Sequence, residues 1–417
     1  MVKKSYQFII DNILYDLTSF IPHHPGGKDI CYLASHDVSI HYKMLHGRSF
    51  DHEKMKKYQV KQNVSSEPNS NTTEISSFGQ DMIASVNALF KSKNETYADW
   101  RYYTRAGFIL FLTFIFEILY QKTESLWVSA ALGMCYALIG LNISHDATHG
   151  ALGPHRWYHE IFKYLQDWVG SSKVLWIQQH VLSHHAYTNN YEKDNDMSAA
   201  EPFLVFHPSC KNITIFHAFQ HWFYLLIIKW FAFTSMLRFE SIWKMQHFEG
   251  FPTNSSAMEA RNTTIIFRIC MLFKLLILPF YFQEELTVLQ LVYKFLALVL
   301  VEGIILAFLF LISHNYEDTT KINFTGDWYI DQIISSSTYG GRIAGLITGG
   351  LNYQIEHHLF PRISSIHYPK IHETVRNVCK KHGVKYEFYD NVLENFWSTL
   401  KHIRDVGNRR IKERKKE

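Results

Sequence analysis

The chain has 417 residues, 47% of them hydrophobic and 16% aromatic, with a net charge of only +4. That charge is too small to argue for a nucleic-acid partner, and the long apolar runs exclude a simple soluble globule. Five cysteines, Cys31, Cys135, Cys210, Cys270 and Cys379, are scattered without a C-x-x-C pair. Neither a disulfide framework nor a zinc ribbon is therefore expected, and the chemistry is expected to face a reducing compartment. No signal peptide is expected either, because Phe8-Ile9-Ile10 is interrupted at once by Asp11 and Asn12.

In chain order, residues 1–61 are polar and predict a small α+β domain of short strands and helices around His24-Pro25-Gly26-Gly27. Proline fixes one dihedral and glycine admits positive φ, so His24 is expected on a rigid corner. A composition shift to Ser, Asn, Thr and Glu begins at Gln62, and residues 62–95 read as a linker. Residues 96–390 carry apolar runs at Ala106–Tyr120, Leu126–Ile143, Ile213–Leu237, Thr264–Phe282 and Val288–Ser313. A bilayer core asks for about 20 helical residues. The middle run contains His217, Gln220, His221, Lys229 and two tryptophans, which suits an interfacial helix better than a span. Four crossings then keep both chain ends and every histidine cluster on one side of the membrane. Several N-x-S/T sequons, among them Asn63, Asn71, Asn94, Asn212, Asn254 and Asn262, are expected to face the cytosol unmodified. Residues 391–417 read as a basic tail that ends in Arg409-Arg410 and Lys415-Lys416.

Three histidine clusters stand out: His145/His149, His180/His184/His185 and Gln354-Ile355-Glu356-His357-His358. Residues four apart lie on one helical face, so each of the first two clusters can aim imidazoles at one point. His155/His159 and His217/His221 share that spacing, so spacing alone does not mark ligands. Company does, because the favoured clusters carry an adjacent extra histidine or end a long apolar run. So many imidazoles exceed the ligands one metal ion normally takes, which points to two metals.

Two resemblances follow from these residues. The amino-terminal segment, with Tyr15–Phe20 before His-Pro-Gly-Gly, resembles cytochrome b5, which implies haem b between axial His24 and His46. His41 and His52 are rivals for the second position. The boxes His145-Asp146-Ala147-Thr148-His149, His180–His185 and Gln354–His358, together with Asp167-Trp168-Val169-Gly170, Thr188-Asn189, Phe219–Trp222 and Leu359-Phe360-Pro361, resemble membrane fatty acyl desaturases. The glutamine opening the third box and the fused amino-terminal domain resemble the front-end group, and the likeness covers nearly the whole chain.

The resemblance implies a membrane all-α fold of four spanning helices, with a cytosolic helical cap over a di-iron centre. It implies iron ligands His145, His149, His180, His184, His185, His357 and His358, with His314 as the eighth and Gln354 as ligand or orienting group. It also implies a fatty acyl substrate carried by coenzyme A or phospholipid, electrons from NADH-cytochrome b5 reductase, an endoplasmic-reticulum location, and a delta-5 or delta-4 rather than delta-6 double bond. Asp146, Asp194, Asp196 and Glu356 are expected as supports of the imidazoles. Phe308-Leu309-Phe310 is expected along an acyl tunnel, and Lys173 or Arg342 at a head group. Lipid hydroxylases and sphingoid-base desaturases share such boxes. A histidine-rich metal transporter is the distant alternative, which predicts ionisable residues along the spans, where only Glu117 and Glu302 are acidic.

Overall fold

The computed structural model describes residues 5–47, 52–63, 74–237 and 255–409. At the amino end, β1 (Gln7–Ile10), β2 (Ile13–Asp16) and β3 (Gln59–Asn63) form an antiparallel sheet in the order β1-β2-β3. Asp11 and Asn12 take positive φ between β1 and β2. The polar pair that interrupts the first apolar patch is thus a two-residue hairpin turn. Helix α1 (Ser39–His46) completes this unit. Its core residues Phe8, Ile21, Tyr32 and Tyr42 are continuous with Val174, Ile177, Val181 and Leu182, so the unit packs directly on the segment bearing the second histidine cluster. Lys163 reinforces the contact with an ion pair to Asp29 at 2.6 Å.

The linker is shorter than the composition implies. Helix α2 (Ser77–Asn87) begins at Ser76, whose hydroxyl accepts from Gly79 N–H at 3.0 Å. It buries Phe78, Met82 and Val86 against Val375, Val378 and Cys379. The i, i+4, i+8 spacing of those three residues gives the helix an apolar face that its polar neighbours mask. Part of the expected linker, residues 64–73, lies outside the described residues.

Four helices are long and apolar enough to cross a membrane. The first hairpin joins α3 (Trp100–Lys122), capped by Asp99, to α4 (Leu126–Ile139), capped by Ser125. Beyond α4 the chain makes an i→i+5 turn over Gly140–Ser144 and enters α5 (His145–Thr148). Helix α6 (Arg156–Lys163) follows at the surface of the stem. The run 213–237 is not among the four spans and contains two short helices, α7 (Gln220–Ile228) and α8 (Phe231–Leu237). Phe216, Trp222 and Leu226 are exposed on it, as expected of an interfacial segment. Gln220 anchors the other face, accepting from Val205 N–H at 2.9 Å and donating to Ile403 O at 2.6 Å.

The third span starts earlier than hydropathy suggests, with α9 (Ser255–Leu272) continuing through an i→i+5 turn to Phe282. Its polar first turns find partners: Thr264 donates to Asp167 at 2.5 Å and Arg268 to Ser171 O at 2.9 Å. The fourth span, α10 (Val288–Ile312), opens with a reciprocal Thr287–Gln290 cap.

The cap is built from α11 (Trp328–Ile334), β4 (Thr338–Tyr339), α12 (Arg342–Thr348), α13 (Gln354–Leu359), α14 (Tyr368–His382), β5 (Phe388–Tyr389) and α15 (Val392–Gly407). The two short strands pair in parallel. Helix α15 corrects the expectation of a tail from residue 391. Ile403 and Val406 are buried, and His402 donates to Phe206 O at 2.7 Å. Leu393, Phe396, Trp397, Leu400 and Ile403 recur at helical spacing, but Leu393 and Trp397 stay exposed while Asn395, Thr399 and His402 are buried. Residues 410–417 lie outside the described residues.

Helices α4 and α10 touch backbone to backbone. A Cβ on Gly133 would stand 2.2 Å from Leu298 O, whereas one on Gly107 of α3 would meet nothing within 4 Å. Small residues permit such approach between spans. Gly133→Ala is expected to destabilise the stem by about 1–3 kcal/mol and to lower the thermal midpoint in detergent. Gly107→Ala should leave that midpoint unchanged or slightly raised.

Candidate metal centre

The histidine clusters converge at the membrane edge of the stem. Box 1 leaves the i→i+5 turn at the end of α4, and box 2 lies in a second such turn, Ile177–His184. In an α-helix i+3 and i+4 flank residue i, and i+5 turns about 140° away from it. A wider i→i+5 turn sets i+4 and i+5 on either side of it, so both His184 and His185 stay near His180. Box 3 is α13, and His314 follows α10 directly.

Two groups of imidazoles result. Ligand atoms of His145, His149, His180 and His357 lie within 4.8 Å of one another, as do those of His184, His314 and His358. His185 stands between the groups: its Nε2 is 3.2 Å from His180 Nε2, and its ring stacks on His358 at 4.3 Å. All eight side chains are buried. His155 is exposed, His159 donates to Gly153 O at 2.9 Å, and His217 donates to Pro202 O at 2.9 Å. The equally spaced pairs are thus outside the centre.

Hydrogen bonds fix which nitrogen each imidazole of the second group offers. Nδ1–H of His184 donates to Asp194 at 2.9 Å, that of His314 to Ser335 O at 3.2 Å, and that of His358 to Gln332 Oε1 at 2.8 Å. The three Nε2 atoms then face inward, 3.3 Å apart for His184–His314 and 3.2 Å for His314–His358. A proton serves only one such contact; a metal cation serves all three. Nitrogens bound to one ion at ~2.1 Å in tetrahedral or octahedral geometry are ~3.0–3.4 Å apart. The first group has the same spacing, with His145 Nε2 3.0 Å from His180 Nε2. Both ring nitrogens of His149 and Nε2 of His357 are buried without a partner among the described residues. This donor set fits two metal ions.

Electrostatics agree with a neutral imidazole set. Burial, and then neighbouring imidazoles, push His149, His180, His185, His357 and His358 well below the ordinary histidine pKa. Burial brings His314 down to about 3. His184 is the exception: burial opposes its charge, but Asp194 and Asp196 outweigh burial and raise it to about 9. A metal ion at its Nε2 competes with one proton.

Gln354 places its amide 2.9 Å from His314 Nε2 and 3.4 Å from His358 Nε2. Turned over, the same amide presents its oxygen to the same gap. Among the expected carboxylate supports, Asp194 holds His184 directly. Asp196 lies 3.5 Å from the same Nδ1 and accepts from Gln179 at 2.6 Å. Two others serve elsewhere. Asp146 is 3.8 Å from His145 Nδ1, and its Oδ2 accepts from Ser364 and Ser365, tying box 1 to the loop after box 3. Glu356 accepts from Thr338, His372 and Tyr386 instead of a box histidine.

The sequence reading missed Gln332, Tyr368, which meets His357 Nδ1 at 3.0 Å, and Trp176, stacked on His180 at 4.4 Å. Trp176 stands four residues before His180, a spacing that could have signalled it. Gln332 and Tyr368 have no local signal. Phe310 borders Trp176 and a narrow cavity of ≈ 30 Å³ with Gly140 and Leu306, whereas Phe308 packs outward on Phe396. Lys173 is no free head-group cation, because it is buried beside Glu160 at 3.7 Å and over Tyr164.

In the amino-terminal unit the His24 and His46 rings face each other with centres 6.1 Å apart. Two imidazoles on opposite sides of one iron at ~2 Å would have centres on the order of 6 Å apart. His24 Nδ1 is buried without a partner among the described residues. A Cβ on Gly26 would stand 2.9 Å from the His24 ring, so the glycine leaves the ring its room. Burial first, then Arg362, lowers His24 to about 4 and His46 to about 3, so both rings are neutral near pH 7. His41 is turned elsewhere and donates to Leu182 O at 2.8 Å. The side chain of His52 lies outside the described residues.

A model of the fatty acid desaturase family matches residues 124–390, which contain all three boxes and His314. The chain belongs to that family and is an oxidoreductase, as its resemblance to front-end desaturases implied. Its relatives include proteins named acyl-lipid (7-3)-desaturase from Rebecca salina and Diacronema lutheri. Each is 30% identical over 96% of this chain and 90% of the relative. An acyl-lipid (8-3)-desaturase B of Dictyostelium discoideum is 28% identical over 97% of this chain and 92% of its own length.

Removing an orienting partner of a metal-bound imidazole commonly costs 10–100-fold in affinity. Asp194→Asn is therefore expected to weaken iron binding of the full chain by that factor in equilibrium dialysis, while His155→Ala binds as wild type. Equal affinity in both variants would remove Asp194 from the centre.

Proposed function

We propose that this chain is a front-end fatty acyl desaturase whose eight buried imidazoles hold two irons and whose His24–His46 pair holds haem b. The observation that carries it is the second group, where three committed Nδ1–H donors leave three inward Nε2 atoms, that of His314 lying 3.3 Å from His184 and 3.2 Å from His358. The overall reaction converts –CH2–CH2– of an acyl chain, O2, two electrons and two protons into a cis –CH=CH– and two waters. Iron bound there supplies, with O2, the oxidising power toward an unactivated C–H bond that acid–base side chains lack. The chain's own residues set the rest. Asp194, Ser335 and Gln332 hold the ring nitrogens on target, and burial excludes water from the ligand set.

Electrons enter one at a time through the haem domain from NADH-cytochrome b5 reductase. The packing of that domain on Val181 and Leu182, between His180 and His184, supports a short route. The amino terminus, boxes and carboxyl terminus face the cytosol of the endoplasmic reticulum. The names of the relatives support a lipid-linked acyl substrate, and the resemblance of Asp167–Gly170 and the first two boxes supports delta-5 or delta-4 over delta-6. A metal-transport path is disfavoured because Glu117 is ion-paired with Lys274 at 2.5 Å and accepts from Tyr136 at 2.6 Å.

Yeast expressing the chain and fed a panel of polyunsaturated fatty acids is expected to accumulate an acyl chain lighter by two hydrogens. A product gaining one oxygen indicates a hydroxylase, and a new sphingoid-base double bond indicates that other substrate class. His184→Ala should abolish the product and keep the haem absorption band. His24→Ala should remove the band.

A further inference from the structure

A cleft of ≈ 1010 Å³ opens where the start of α3 meets α12, the turn Ser365–His367 and the start of α14. Arg101, Arg105, Arg342 and Lys370 line it, and no carboxylate does. Arg101 is taken by Asp99 at 2.7 Å, and Lys370 donates to Leu89 O at 2.7 Å. Arg105 lies over the Tyr102 ring at 5.4 Å but, like Arg342, forms no ion pair among the described residues. Arg342 makes no ion pair or hydrogen bond among the described residues, and Arg105 buries Nη2 without a partner there. A buried guanidinium nitrogen left unpaired is costly, and a phosphate oxygen satisfies it.

The rim is apolar. Trp100 is 75% exposed and Phe108 61%, both on the first span, and Ile343, Leu346 and Ile347 are exposed on α12. Tryptophan and short helices with one apolar face mark the membrane–water boundary. The cleft therefore joins a cationic floor to a lipid-facing mouth. Its inner wall is one residue layer from the ligands: Ser365 bonds Asp146 beside His145, and Tyr353 O accepts the backbone N–H of His357 at 2.9 Å.

We infer that this cleft seats the phosphate head group of a membrane glycerophospholipid whose ester-linked acyl chain is the substrate, with Arg105 and Arg342 holding the phosphate. The inference rests on the desaturase reading and deepens it. A double bond placed a few carbons from the carbonyl requires the ester to lie close to the irons, and this cationic cleft adjoins them. Coenzyme A offers the same phosphate chemistry from solution. The lipid is favoured because the mouth opens among side chains that face the acyl region of a bilayer.

The test uses the purified full-length protein in detergent, titrated with dihexanoylphosphatidylcholine below its micelle concentration and, separately, with coenzyme A. A photoactivatable phosphatidylcholine maps the contact. The expected result is crosslinking to peptides within 100–108 and 342–370. Phosphatidylcholine affinity should fall about tenfold in Arg342→Glu and in Arg105→Gln. Arg342 is exposed, so its variant reports even where Arg105→Gln does not fold. Wild-type affinity in Arg342→Glu, crosslinks confined to other peptides, or binding of coenzyme A alone would overturn the assignment. These readouts need no turnover. A protein that binds phosphatidylcholine here yet makes no new acyl product in yeast leaves the cleft standing and refutes the desaturase reading, and the converse result refutes the cleft alone.

Discussion

The constraint on which this molecule depends is the packing of eight imidazoles into a dry space with too few protons to go round. A buried polar atom without a partner costs roughly 1–3 kcal/mol, and His149 alone leaves two such atoms. A fold does not accumulate that penalty in one place unless something returns it. Divalent cations do, because each nitrogen gains a bond in which no hydrogen is needed. The arrangement of the cap follows: α11 brings Gln332, the loop after it brings Ser335 O, and the turn after box 2 brings Asp194. Each takes the outer nitrogen of a ring so that the inner one is free.

The stem serves the same end. Glycines at 133 and 303 let neighbouring backbones close up on α10, which delivers His314 at its end. The polar residues inside the third span, Thr264 and Arg268, hold the segment leading into box 2, and Arg268 also binds Ser235 O in α8. The amino-terminal unit is fastened to the ligand-bearing segment by a shared core and by His41 on Leu182 O. The amino-terminal unit and the histidine centre thus share one packed core.

Much of this is legible in the sequence because the relevant signals are local. Histidines four apart, an apolar run ending at His145 and another ending at His314 were enough to locate the centre and to separate it from His155/His159. The polar residues of 213–237 set it apart in the sequence, and it is not among the four helices long and apolar enough to cross a membrane. Other features depend on contacts distant in the chain. Asp146 and Glu356 sit inside the boxes yet turn away from the imidazoles, because Ser364–Ser365 and Tyr386 claim them. Gln332 and Tyr368 carry no mark that distinguishes them from any other buried polar residue. The i→i+5 turns, which explain how box 2 uses two adjacent histidines, leave no trace in hydropathy. Helix α15 is masked because its neutral polar residues Asn395, Thr399 and His402 are buried while the apolar Leu393 and Trp397 face outward.

The most direct measurement is the metal content of the full-length protein, purified without oxygen after growth in iron-replete medium. Haem iron, from the absorbance of its pyridine adduct, is subtracted from total iron by mass spectrometry. Two non-haem irons per chain are predicted. One ion per chain, or zinc in place of iron at both positions, would contradict the pairing of the two imidazole groups around separate irons.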